Sequence, residues 1–195
     1  MNKHDFDKWS ETYDEDIKDE KTYPFVGYSD IVEEIIYQAE GEKILDLGVG
    51  TGNISKILYD KGYKITGLDF STEMINKAKE KMPDVEFIVF DGNDPLPRFV
   101  EDFDTVIMNF FIHHFNYMKQ SEIIEGLMNI SKKIIIGDVM TKTKEEMIEV
   151  KDKNMDSWDD EEFYPIVDEI ILNYPDYNIE FIKKSYCSGV IIITH

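Results

Sequence analysis

The stretch Ile44-Leu45-Asp46-Leu47-Gly48-Val49-Gly50-Thr51-Gly52-Asn53 restricts what this chain can fold into more than any other segment. An apolar run that reads as a buried strand enters three alternating glycines, and a helix-compatible segment follows. Glycine permits a tight turn and lets the backbone approach a ligand with no Cβ in the way. A helix start placed there offers unpaired N–H groups and a partial positive charge. Seventeen residues beyond Gly52, a second apolar run ends at Asp69. The interval from Gly48 to Asp69 matches the roughly 20 residues that separate such a loop from an acid gripping a ribose hydroxyl pair.

The same alternation continues along the chain. Strands are expected at Lys43–Leu47, Lys64–Asp69, 85–90, 104–109 and 133–138, nearly continuous in apolar residues as for strands covered on both faces. Helices are expected at 52–60, 72–81 and 121–130. Asp30-Ile31-Val32-Glu33 reads as a capping box opening a helix that runs to Ala39. At the far end, 178–186 and 190–195 are strand-like and separated by only Cys187-Ser188-Gly189. No crossover helix fits there, so these two strands should pair antiparallel. The expected fold is a Rossmann-like three-layer α/β sandwich, a mostly parallel seven-stranded sheet ending in an antiparallel hairpin. One domain over 1–195 is expected, with an acidic, aromatic insertion at 141–176, helical in two pieces, between strands five and six.

Charge narrows the partners. Forty-one acidic residues against 21 basic ones give a net charge of −20. A nucleic-acid binder needs a basic stripe, so DNA, RNA and anionic membranes are disfavoured. Lys77, Lys79, Lys81, Lys132 and Lys133 read as solvated ends of elements. No apolar run is long enough to span a bilayer, and the opening residues carry no apolar leader. The single cysteine, Cys187, fits a reducing cytoplasm.

The glycine motif with its acids resembles the class I S-adenosylmethionine (SAM)-dependent methyltransferases. Their first motif, an acid, any residue, then Gly-x-Gly-x-Gly, is matched by Asp46 through Gly52. This spacing, with Asp46 leading, separates it from the Gly-x-Gly-x-x-Gly of dinucleotide folds. The resemblance implies SAM as cofactor, with Asp46, Gly48, Gly50, Gly52 and Asp69 in its site. It implies Phe70 and Met74 flanking the adenine, and Asp91-Gly92 supplying the adenine-binding acid; Met74 as helix core and Asp91-Gly92 as a plain turn remain open. Asn109-Phe110-Phe111-Ile112-His113-His114-Phe115 lies where the family places its fourth motif, beside the transferable methyl. The Asn/Asp-Pro-Pro-Tyr/Phe of amino-methylating nucleic-acid enzymes is absent, as is a Pro-Cys pair.

The opening Phe6-Asp7-x-Trp9-x-x-x-Tyr13-Asp14 is similar to that of small bacterial methyltransferases of the ubiquinone/menaquinone type. This implies that 1–40 forms a lid and helix, with Trp9 and Tyr13 closing over SAM; simple covering of edge helices is the alternative. Transfer from a sulfonium, leaving S-adenosylhomocysteine (SAH), is an in-line displacement that positioning and water exclusion can largely promote. His113 or His114 would serve as general base for an oxygen or nitrogen acceptor, or simply hold a loop. Being adjacent, at most one should face the pocket. No His/Cys/Asp spacing suggests a metal, so metal-independent turnover is expected. Trp158, Phe163, Tyr164, Tyr174 and Tyr177 would line a pocket or pack the insertion. The expected enzyme is a cytoplasmic small-molecule methyltransferase, monomer or homodimer. A non-enzymatic SAM-binding protein and a nucleotide-linked oxidoreductase are the alternatives.

Overall fold

The computed structural model describes residues 3–100 and 102–195. The apolar runs form strands β1 (Lys43–Leu47), β2 (Lys64–Asp69), β3 (Glu86–Val89), β4 (Phe103–Asn109), β5 (Ser131–Val139), β6 (Asn178–Lys183) and β7 (Ser188–Thr194). They pair in one sheet of order β3-β2-β1-β4-β5-β7-β6. The first five run parallel, while β7 is antiparallel to both β5 and β6. The terminal hairpin thus inserts its last strand next to β5 and leaves β6 at the edge. The strand expected at 85–90 is shorter and forms the opposite edge, with Val89 half exposed rather than covered on both faces.

Strand alternation sends successive side chains to opposite faces. Ile44, Ile107, Ile135, Val190 and Ile192 meet helices α3 (Tyr28–Gln38) and α4 (Asn53–Asp60) on one side. Leu45, Leu47, Val106, Met108, Ile134, Ile136, Ile191 and Ile193 form the larger cluster on the other. There they meet α6 (Tyr117–Met128) and α8 (Val167–Asn173). Two short N-terminal helices, α1 (Lys3–Trp9) and α2 (Tyr13–Asp16), precede α3. Helix α5 (Thr72–Lys81) follows β2, and α7 (Lys144–Lys153) with α8 makes the insertion helical in two pieces. Side-chain caps start three of these helices: Ser71 accepts from Met74 N–H, Asn116 from Lys119 N–H, and Thr143 from Glu146 N–H. The Asn116 cap explains why α6 begins before the expected 121–130 segment.

The capping box at Asp30 is not used. Helix α3 starts earlier, behind Gly27, with no side-chain cap. Tertiary packing overrides the local signal, because buried Tyr28 packs edge-on against Phe25 and tilted against Phe110, with ring centroids 6.1 and 5.6 Å away. Lys77 and Lys81 are not solvated ends either. Lys77 donates to the carbonyl of Ser10 and Lys81 pairs with Asp14 at 3.0 Å, both on the N-terminal segment. Lys133 bridges to Glu40 at 3.0 Å and Lys132 to Asp104 at 2.6 Å.

Candidate active site

Strand β1 ends on the glycine turn, where the backbone itself builds a cradle. Gly48 and Gly50 have φ of 82° and 54°, the left-handed region that side chains disfavour. A Cβ on Gly48 would lie 2.4 Å from the Phe111 ring, so the turn and the segment after β4 fit only without one. Asp69, at the end of β2, accepts the N–H of Gly50 at 2.8 Å and that of Ser71 at 2.9 Å. These bonds fix the carboxylate against the turn. Burial pushes its pKa up to about 6, against the pull of the Ser71, Gly50 and Phe70 N–H groups.

A cavity of about 390 Å³ opens from this cradle, and Gly48, Gly50, Asp69, Phe70, Met74 and Asp91 line it. Gly92 and Asn109 line it too, and the Oδ1 of Asn109 is buried without a hydrogen-bond partner among the described residues. Asp91 also accepts from Asn93 N–H at 2.9 Å, so it is both a turn former and a cavity wall. Met74 is both helix core and lining.

Two of the motif residues expected in the site, Asp46 and Gly52, do not line the cavity. Strand alternation turns Asp46 toward α4, where Ser55 donates to it at 2.6 Å; burial raises its pKa to about 7. Gly52 instead lets the start of α4 pack on Met82 and Ala78. Both make their contacts within the turn and its helix.

The N-terminal segment forms one wall of the cavity. Phe6, Trp9 and Tyr13 line it. Trp9 lies edge-on to Phe6 and Tyr13, with centroids 5.8 and 4.9 Å away. Charged groups latch this segment to the cradle. Asp14 accepts from Thr51 Oγ1 at 2.5 Å, Asn53 Nδ2 at 2.9 Å and Lys81 Nζ at 3.0 Å. Asp7 accepts from Ser71 Oγ at 2.6 Å. The sequence reading quoted these acids with the aromatics but gave them no role, since their partners lie more than 35 positions away in the chain.

The other end of the cavity is built after β4. Phe110 adopts φ 49°, unusual for a residue with a side chain and costing roughly 1–3 kcal/mol. It breaks the strand, and a 3-10 turn at Ile112–His114 follows. Side chains in such a turn are about 120° apart rather than opposed as on a strand. Both histidines therefore face the cavity, correcting the expectation that only one would; their rings lie 4.0 Å apart.

His113 is anchored from behind. Its Nδ1 lies 2.6 Å from Oδ1 of Asp138, a fully buried carboxylate at the end of β5. Burial pulls the His113 pKa down, but Asp138 and then Glu162 outweigh it, leaving it above the ordinary value. His114 goes the other way, to about 2, because it is buried and beside His113.

Glu162 comes from the insertion. The N–H of Phe163 donates to the His113 carbonyl at 2.8 Å, and Gln120 bridges the carbonyls of Phe115 and Phe163. These bonds bring Oε1 of Glu162 within 3.6 Å of His113 Nε2 and 3.7 Å of His114 Nδ1. Of the five insertion aromatics, only Tyr164 lines the cavity. Trp158 packs on Tyr164, Phe163 on Tyr117, and Tyr174 and Tyr177 on each other.

Comparison with known proteins agrees with this architecture. A methyltransferase-domain family model matches residues 44–133. An uncharacterized methyltransferase of Alkaliphilus oremlandii is 30% identical over 157 residues, covering 76% of this chain and 72% of the relative. This chain belongs to the class I SAM-dependent methyltransferase family. The matched residues take in the glycine turn, Asp69, Asp91, Asn109 and both histidines. The magnesium protoporphyrin IX methyltransferase of Synechocystis, with bound SAH, has a similar fold at TM-score 0.70 and 20% identity, covering 88% of this chain and 84% of its own. A putative methyltransferase of Haloferax volcanii, in complex with the Trm112 methyltransferase activator, superimposes at TM-score 0.75 with 16% identity, over 100% of this chain and 97% of that one. Family membership removes the oxidoreductase alternative.

Proposed function

We propose that this methyltransferase moves the methyl group of SAM to a small-molecule acceptor held between His113, His114, Glu162 and Tyr164. One observation carries the reading: the cradle around Asp69 and this polar cluster share one cavity, walled by a latched N-terminal segment. The donor fits the cradle. Asp69 suits the ribose hydroxyls, Asp91 the adenine end, and the orphaned Oδ1 of Asn109 an ammonium N–H. Bound SAM supplies an activated methyl on a cationic sulfur. The chain's own part is to hold that donor, exclude water under Trp9 and Tyr13, and orient the acceptor at the histidine end.

A small acceptor agrees with a walled cavity and a net charge of −20, which disfavours an anionic polymer. In this reading the protein works in the cytoplasm and requires no nucleic acid or membrane; among the described residues no helix is long and apolar enough to cross one. The test has two stages. SAM and SAH should raise the melting temperature while NAD does not, and labelled SAM with fractionated metabolites should yield a labelled product. A ligand at about 100 times its Kd stabilises by roughly 2.7 kcal/mol. A larger shift with NAD would end the donor assignment, and donor binding without turnover on any fraction would favour the non-enzymatic SAM-binding alternative.

A further inference from the structure

At the acceptor end, ring nitrogens of two adjacent histidines face one carboxylate oxygen. The Nδ1 of His113 is committed to Asp138, whose Oδ1 also takes the N–H of Val139 at 2.7 Å. In the neutral imidazole, the form that binds a metal, a proton on Nδ1 leaves Nε2 as a lone pair. That lone pair points at Oε1 of Glu162, 3.6 Å away, too long for a hydrogen bond. Nδ1 of His114 lies 3.7 Å from the same oxygen, and the three ligand-type atoms all fall within 4.8 Å of one another.

We propose that His113, His114 and Glu162 bind one divalent transition-metal cation, zinc in first place, which receives the methyl acceptor through an oxygen or sulfur atom. Two imidazoles and one carboxylate suit zinc-type ions, whereas magnesium and calcium favour all-oxygen sets. Ligand atoms about 2.0–2.1 Å from a tetrahedral ion lie about 3.3 Å apart; the Glu162 oxygen is 3.6 and 3.7 Å from its two histidine partners, and the histidine pair, within 4.8 Å, closes on binding by up to about 1.5 Å. Each ligand already has its outer support. Asp138 orients His113, the Tyr164 hydroxyl bonds the other oxygen of Glu162, and Phe6 packs edge-on to His114 at 5.2 Å. A carboxylate behind a ligating histidine fixes its tautomer and strengthens its donation. Three protein ligands leave a position open, and that position faces the cavity that holds the donor in our functional reading.

The cation gives the acidic end of the cavity a binding function. Asp159 and Glu161 line it beside Glu162, which would repel an anionic acceptor unless a cation stood there. A hydroxyl or thiol bound to the ion loses its proton to solvent more readily. The resulting lone pair attacks the methyl carbon, and the carbon–sulfur bond breaks with its electrons passing to sulfur, giving methyl ether or thioether and SAH. The inference rests on the proposed methyl transfer only for this last step; cation binding stands alone and is tested alone.

The experiment uses the full chain stripped with EDTA, dialysed, and titrated with zinc by calorimetry, then with cobalt(II) by visible absorption. One equivalent of zinc should bind, and cobalt should show ligand-field bands of a low-coordinate nitrogen–oxygen site. Glu162→Gln and His114→Ala should each weaken zinc binding by at least about tenfold, and Asp138→Asn by about 10–100-fold through His113. The SAH thermal shift of each variant reports whether its fold and donor cradle are intact; Glu162→Gln is the decisive variant, since it changes one atom and keeps the packing. Zinc binding that fails in the wild type, or survives unchanged in a folded Glu162→Gln, overturns the site. Zinc binding with no response to SAH would leave the site standing and sink the methyl-transfer reading instead.

Discussion

Acidification tests the role of Asp69 directly. Its carboxyl sits near pKa 6 because burial penalises the charge more than the N–H groups of Ser71 and Gly50 repay it. Ribose hydroxyls donate more strongly to the ionised form, so donor binding should favour the carboxylate and lose strength as it protonates. With a pKa of about 6, going from pH 7 to pH 5 should weaken SAH binding about tenfold, or about 1.4 kcal/mol. The ligand's own ammonium and carboxyl keep their charges across that window. Folding shows the opposite sign. Between the ordinary 3.8 and about 6 the folded chain holds this proton more tightly than the unfolded one, so the group's contribution to stability falls as pH rises through that window, by up to about 3 kcal/mol. Calorimetric titration of SAH at half-unit steps measures the first effect. Asp69→Ala should weaken binding at pH 7 by about 1–3 kcal/mol and flatten the profile. A wild-type affinity that stays level from pH 7 to pH 5 would refute the reasoning. A slope unchanged in Asp69→Ala would move the effect to Asp46, whose pKa is near 7.

Three further outcomes follow from the geometry. Asp14→Ala removes the partner of Thr51, Asn53 and Lys81 and should cost about 1–2 kcal/mol of SAH affinity with little change in melting temperature; unchanged affinity would show that the latch is idle. Deleting residues 1–25 should leave a folded protein with weaker SAH binding and a larger loss of turnover, whereas a collapse in circular-dichroism melts would make the segment structural cover. Gly48→Ala places a methyl group 2.4 Å from the Phe111 ring at φ 82°, and should destabilise by about 2–4 kcal/mol in urea unfolding; wild-type stability there would mean that the turn is looser than described.

The sequence alone carried the local order of this protein. Apolar runs of strand length, one glycine turn and amphipathic intervals specify β1–α4–β2–α5 almost to the residue, because period and turn chemistry act over a few positions. The short gap before β7, three residues as expected and four in the structure, dictated its antiparallel pairing with β6 for the same reason. Asp69, Asp91 and Asn109, singled out through spacing and the family resemblance, stand at or just past strand ends where an α/β sheet opens its crevice, and with Phe70 and Met74, the latter from α5, they line the cavity. Tertiary structure decided the rest. Alternation along a real strand sent Asp46 to Ser55, and packing of Tyr28 moved the start of α3 away from its capping box. A strained Phe110 and the 3-10 turn behind it brought both histidines to one cavity. Glu162 joins them only because Phe163 and Gln120 tie the insertion to that turn, and Asp14 meets Thr51 only because the chain folds back across 37 positions. Such pairings carry no sequence period: their energy comes from partners remote in the chain, so they exist only once the sheet and its helices are in place.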